Sequence, residues 1–176
     1  MITNPGKVLR ELLSNPGIVM MPGVFDGISA RVAEQAGFKA LYLTGAGASA
    51  SGIGEPDIGL ATMNDFADNA RRITIKANIP AICDADTGFG NQLNMIRTVH
   101  EFEAAGIAAV QMEDQVSPKR CGHLAGKQVV SAGEFAQKIR AAVNEKFFPD
   151  TMIVARTDAR AVYSMEETLD RCKMYM

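Results

Sequence analysis

One alternation runs the length of the chain: a short apolar run, a loop carrying glycine and aspartate, then an amphipathic segment. The strand-like runs are Ile18–Met21, Ala40–Thr44, Ala81–Asp84, Ala109–Glu113 and Met152–Arg156. Helical patterns fall near Ile28–Ala36, Asn64–Lys76, Leu93–Ala105, Ala132–Glu145 and from Met165 onward. In the third of these, Ile96, Val99 and Phe102 recur at helical spacing. Gly37 and Gly106 stand where left-handed C-cap residues belong. Parallel strands need a crossover between them, so strands and helices alternating one for one specify an α/β fold. Polar residues gather at the C-terminal ends of several different strands, where both doubly wound sheets and (β/α)₈ barrels place their sites. A complete barrel takes about 250 residues. The chain has 176 and breaks off inside a helical pattern. The expectation is one domain over 1–176, a TIM-type (β/α)₈ barrel truncated to its first five or so units. An open sheet edge would then favour aggregation over activity.

An apolar content of 47% suffices for a sizeable core, and a formal charge of −2 provides no basic field for nucleic acid. No apolar run approaches the ~18 residues of a membrane span. Met1–Gly6 lacks a charged-then-apolar leader. Three scattered cysteines argue against a disulfide framework and for a reducing compartment, by default the cytoplasm, with an organellar matrix left open. Cys83, in an apolar strand, and Cys172, in a helical pattern, read as packing residues. His100 has no chemical neighbours in sequence.

After the second strand, Thr44-Gly45-Ala46-Gly47-Ala48-Ser49-Ala50 has the form of a dinucleotide fingerprint. That motif needs a helix starting at the glycines, and the Gly- and Pro-rich continuation to Gly59 speaks against one. A loop whose bare N–H groups approach an anion such as a carboxylate, or a tight turn with no ligand, fits better. The third strand ends in Asp84-Ala85-Asp86. Alternation would aim both carboxylates the same way, and their repulsion invites a divalent cation, Mg²⁺ or Mn²⁺ by the hardness of the ligands. A helix-capping or turn role for Asp86 is the competing reading. The fourth strand ends in Glu113-Asp114 at an equivalent place, which strengthens the metal reading.

In the loop that follows, Lys119-Arg120-Cys121-Gly122-His123 is too cramped for a zinc knuckle. Cations beside Cys121 would favour its thiolate, suiting it to proton exchange or nucleophilic attack, unless the loop is merely basic and solvated. Arg156, at the end of the fifth strand, offers a bidentate fork for a carboxylate or phosphate, or a structural pair with Asp158.

Taken in order, Tyr42–Gly45, Asp84–Gly88, Glu113–Gln115, Lys119–His123 and Ala155–Ala159 resemble the isocitrate lyase/phosphoenolpyruvate mutase superfamily. The Lys-Arg-Cys-Gly-His block looks like its lyase branch, which includes methylisocitrate and dimethylmalate lyases and the related oxaloacetate hydrolases. The resemblance implies a (β/α)₈ barrel, Mg²⁺ or Mn²⁺ held by Asp57, Asp84, Asp86 and Glu113, and a homotetramer. It further implies that Thr44, Gly45 and Ala46 hold a substrate carboxylate. Lys119, Arg120, Gly122, His123 and Arg156 would contact the small di- or tricarboxylate, Tyr42 would be the base and Cys121 the proton donor. The implied reaction cleaves a carbon–carbon bond of a 2-hydroxy acid to give a 2-keto acid and a carboxylate. Oxaloacetate hydrolysis, phosphonate chemistry on the same scaffold and an inactive truncated paralogue are the alternatives.

Overall fold

The computed structural model describes residues 2–176. Its elements are α1 (Pro5–Ser14), β1 (Gly23–Val24), α2 (Gly27–Gln35), β2 (Leu41–Leu43), α3 (Gly45–Gly52), α4 (Met63–Thr74), β3 (Ala81–Asp84), α5 (Gln92–Ala104), β4 (Ala109–Glu113), α6 (Ala132–Glu145), β5 (Met152–Arg156) and α7 (Met165–Tyr175). Helix starts are written locally. Asp26 with Ser29, Thr62 with Asp65, and Asn91 with Asn94 form reciprocal capping boxes at α2, α4 and α5. Gly37 and Gly106 take φ of 92° and 79° after α2 and α5, the left-handed termination their positions imply.

All five strands are parallel and pair in chain order, β1-β2-β3-β4-β5. This is the order of consecutive βα units in a (β/α)-barrel. It lacks the reversal that creates the nucleotide crevice of a doubly wound sheet.

Side-chain alternation gives the sheet two faces. Leu41, Leu43, Ala81, Cys83, Val110, Met112 and Ile153 join the larger core with helix residues such as Phe66, Phe102 and Phe135. On the α5 contribution to that core, the buried stripe is Met95, Thr98, Val99 and Phe102, so Ile96 lies at its flank rather than on it. The other face changes character along its length. Ile82, Ala109, Met152 and Val154 form an apolar floor against Leu9 and Leu12 of α1. Tyr42, Asp84, Gln111, Glu113 and Arg156 follow towards the C-terminal ends.

Helix α1 closes this floor, and fully burying Leu9 contributes roughly 1.5–3 kcal/mol. Its position is fixed through Asp150: Asn4 Nδ2 donates to the carboxylate at 2.8 Å and Arg10 Nε to the carbonyl at 2.9 Å. Gly6 permits the approach, since a Cβ there would lie 2.5 Å from the Asp150 carbonyl oxygen.

Three sequence expectations are corrected. The first strand is Gly23–Val24 rather than Ile18–Met21; Ile18 and Met20 are exposed, while the ladder pairs Gly23 with Tyr42 and Val24 with Leu43. The glycine-rich segment after β2 is helical, because Thr44 caps it and its small side chains let it pack closely. Cys83 is a packing residue as expected, but Cys172 is exposed on α7.

Candidate active site

Tyr42, Thr44, Ala46, Asp57, Asp84, Cys121, Gly122, His123 and Arg156 line one cavity of about 250 Å³ at the C-terminal ends of the strands. Chain positions more than a hundred residues apart meet there because β2, β3, β4 and β5 end side by side.

Thr44 leaves β2 and caps α3, its Oγ1 accepting from Gly47 N at 3.4 Å. The N–H groups of Gly45 and Ala46 therefore belong to a helix start, a place suited to an anion. Gly45 is required on steric grounds: a Cβ would lie 2.6 Å from Asp84 Oδ2 and 3.5 Å from Asp86 Oδ1. The same distances bring Asp84 and Asp86 together. Their convergence does not come from strand alternation, because β3 ends at Asp84 and Asp86 turns back in the left-handed region at φ 46°. Asp86 N donates to Asp84 Oδ1 at 3.1 Å, and Asp86 O accepts from Glu113 N at 2.8 Å.

Two cations enter this acidic group. Lys119, 5% exposed, pairs with Asp57 and stands 3.0 Å from Asp86 Oδ1. Arg156 Nη1 lies 3.2 Å from Glu113 Oε2, and Nη2 donates to Asp158 at 3.2 Å. They do not saturate the acids. Asp86 Oδ1 has its ammonium at ion-pair distance but accepts no aligned hydrogen bond, and buried Glu113 Oε1 has no donor at all.

The titration behaviour agrees. Burial raises Asp84, with Lys119 opposing; burial and then the Asp84 charge raise Asp86 to about 6. Burial raises Glu113 to about 8, Arg156 opposing and Asp84 adding. Uncompensated acceptors and raised carboxylates are what a hard divalent cation relieves, so the donor set fits one. The expected metal ligands do not, however, form a ready-made shell. Among the described residues no three acidic, histidine or cysteine side chains stand in coordinating geometry, since Lys119 and Arg156 interleave with them.

The remaining expected residues sort as follows. The cation-flanked thiol is not seen: Lys119 is engaged with carboxylates, and exposed Arg120 donates from Nη1 to Ala125 O at 3.3 Å within its own loop. Neither head group lines the cavity. Gly122 lies over Arg156, where a Cβ would be 2.5 Å from Nη2. Tyr42 is held by Gln111, whose Nε2 donates to the phenol oxygen at 2.6 Å. Burial, then the Asp84 charge, pushes this phenol above its ordinary value.

Sequence reasoning missed Gln111, although it lies two residues before Glu113 and so on the same face. His100 stacks on Phe147 with ring centroids 3.7 Å apart, consistent with its lack of an assigned role.

A parallel sheet in barrel order, with an acidic, arginine-lined cavity at its carboxyl ends, defines a (β/α)-barrel-type enzyme scaffold. The chain belongs to the phosphoenolpyruvate phosphomutase family, within the phosphoenolpyruvate mutase/isocitrate lyase superfamily: the model for phosphoenolpyruvate phosphomutase matches residues 9–176. It is 49% identical to 2,3-dimethylmalate lyase of Eubacterium barkeri over 98% of this chain and 60% of that protein. Against 2-methylisocitrate lyase of Aeropyrum pernix the identity is 47%, over 99% and 56%. Among solved structures, oxaloacetate acetylhydrolase in complex with 3,3-difluorooxalacetate superposes with a TM-score of 0.94 at 43% identity, over 98% of this chain and 60% of that one. Phosphonopyruvate hydrolase in complex with oxalate and Mg²⁺ superposes with a TM-score of 0.89 at 32% identity, over 98% and 59%. The chain thus spans about 60% of the length of these relatives.

Proposed function

We propose that the cavity belongs to the catalytic domain of a Mg²⁺- or Mn²⁺-dependent carbon–carbon lyase. It would cleave a 2-hydroxy di- or tricarboxylate, similar to methylisocitrate or dimethylmalate, into a 2-keto acid and a carboxylate. The observation that carries this reading is the meeting of Cys121, Arg156 and the acidic cluster in one small space. A volume of about 250 Å³ suits a small organic acid. The lyase names of the most similar relatives agree with it.

Asp84, Asp86 and Glu113, with Asp57 beyond Lys119, would hold the cation directly or through water. When bound, the cation supplies Lewis-acid polarisation of the oxygen on which negative charge develops. Arg156 orients a carboxylate by its fork, and the α3 start (Thr44, Gly45, Ala46) holds a second through N–H groups. Tyr42, fixed by Gln111, would accept the 2-hydroxyl proton as the carbon–carbon bond breaks, the positive charge of a bound cation offsetting the burial and the Asp84 charge that raise the phenol. Gly122 and His123 cover the site and exclude water, which protects a carbanionic fragment until Cys121 delivers its proton to carbon.

A second reading, hydrolysis of oxaloacetate to oxalate and acetate, is favoured by the TM-score of 0.94 to an oxaloacetate acetylhydrolase. The same residues serve it, with water as nucleophile. Cytoplasmic residence and a homotetramer are the settings proposed; among the described residues no helix is long and apolar enough to cross a membrane.

The deciding assay measures 2-keto acid release from 2-methylisocitrate, 2,3-dimethylmalate and isocitrate, and oxalate release from oxaloacetate, with and without Mg²⁺, on the 176-residue chain and on a length-matched relative. Cys121→Ser is expected to abolish lyase turnover while substrate binding persists. Turnover unchanged by that substitution refutes the assigned acid, and no turnover on any of the four substrates by an active-length enzyme carrying these residues refutes the class.

A further inference from the structure

The loop carrying Cys121 hangs from a stem. Val116 N donates to Gln128 O and Val130 N to Asp114 O, both at 2.9 Å, and Gln115 bridges Val129 in antiparallel fashion. A stem fixes the ends of a loop but not its tip. The tip has its own tether. Gln115, 2% exposed, grips the backbone of Arg120 from both sides: its Oε1 accepts from Arg120 N at 3.0 Å and its Nε2 donates to Arg120 O at 2.9 Å. The same Nε2 donates to Asp158 Oδ2 at 2.9 Å. Asp158 is in turn the partner of Arg156 Nη2, and its own N–H is fixed by Asp114 Oδ1 at 2.9 Å.

We infer that Gln115 is a positioning residue for the thiol: its buried amide ties the peptide preceding Cys121 to the Asp158–Arg156 pair, so that the thiol and the carboxylate-binding arginine are held as one unit. Three observations point the same way. An amide is the side chain that can accept from one backbone N–H and donate to the carbonyl of the same residue, and a carboxylate or thioether cannot do both. The donated hydrogens have no other role, since both point at partners already within 2.9 Å. Beyond Arg120 the turn is closed independently, Leu124 N donating to Cys121 O at 2.9 Å and Lys127 Nζ to Gly122 O at 2.6 Å. The loop tip is thus a preformed piece, and Gln115 fixes where that piece sits. Its importance to catalysis rests on the reading of Cys121 as the proton donor; the tether itself does not.

The test reads the thiol directly. Cys121 and Cys172 are alkylated with iodoacetamide in the folded full chain, and their rates are separated by peptide mass spectrometry. Cys172, exposed on α7, is the internal reference. In Gln115→Met, which keeps length and removes all three bonds, the Cys121 rate relative to Cys172 is expected to rise on the order of tenfold, as a locally released segment should. Gln115→Glu keeps the bond accepted from Arg120 N, loses both donated bonds and is expected to rise as well. It also provides the reading if the methionine variant does not fold. A merely structural role would lower the melting temperature and leave the alkylation ratio unchanged. A ratio within twofold of the parent in the folded variant overturns the inference. Because turnover is not measured, failure of the lyase reading and failure of the tether are separate results.

Discussion

Asp114 is the most heavily engaged acid among the described residues, and removing it tests how this fold is held together. It is fully buried, and its two oxygens accept from Thr157 Oγ1 at 2.7 Å, Asp158 N at 2.9 Å, Arg171 Nη1 at 3.1 Å and Tyr175 OH at 3.1 Å. These donors come from the turn after β5 and from α7, so one side chain at the end of β4 ties both to the sheet. Arg171 is 5% exposed, and its other acidic partner, Glu167, is nearly half exposed. In Asp114→Ala the guanidinium stays buried with that screened carboxylate as its one remaining acidic partner, beside the Val130 carbonyl and the Tyr175 hydroxyl. Loss of one member of a buried pair costs about 3–5 kcal/mol. Asp114→Asn keeps the shape but turns an N–H₂ towards at least one donor, a cost of about 1–3 kcal/mol. Urea unfolding followed by circular dichroism measures both, with the slope compared to confirm that the same surface is exposed. The ranking Ala worse than Asn, with both below the parent, is expected. A loss under about 1 kcal/mol for Asp114→Ala refutes the claim that this network carries the α7 contact.

Four further outcomes are expected. Gly45→Ala drives its Cβ into Asp84 Oδ2 and should cut turnover with little change in melting temperature. Gly47→Ala meets Phe25 Cβ at 2.9 Å and should cost about 1–3 kcal/mol despite the better helix former; equal stability would show that α3 can slide. Titration with Mn²⁺, read by calorimetry, should show one site whose affinity falls about 10–100-fold in Asp84→Asn and Glu113→Gln, and equal affinity would dismiss the acidic cluster as the cation site. Asp65 is held below 3.8 by the Thr62 hydroxyl and N–H, so its capping contribution is present above that value and lost as pH falls through the lower folded pKa. Asp65→Asn should therefore melt lower than the parent at neutral pH and converge with it in acid, and a gap independent of pH would contradict that origin.

Much of this architecture could be read from the residues. β3, β4, β5 and α6 begin and end where their apolar and amphipathic patterns indicate, and in the structure Ser131 caps α6. The class, five parallel strands with crossover helices, followed from alternation alone. The misses have local causes. Val19, Met20 and Met21 look like a strand, but Met20 is exposed and the ladder forms at the less apolar Gly23–Val24. Helix α1 is absent from the expected helices, although proline at a first helical position is a start signal. In α3 a single capping threonine outweighed poor propensity. At the site, the acids at strand ends were visible one by one. Their pairing with Lys119 was not, since it depends on how a long loop folds back over residues some sixty positions earlier.

The inner face of the sheet changes from an apolar floor to a charged rim within four residues of the same strand: Ala109 rests on α1, while Glu113 meets Arg156. Insertion or deletion of one residue inside β4 would exchange the partners of the whole strand, sending Met112 into the charged rim and Glu113 among the phenylalanines beneath the helices. Length variation compatible with this sheet is therefore confined to the turns, and a relative that gains or loses a residue within β4 should have surrendered the proposed cation site as well as the fold's inner seam.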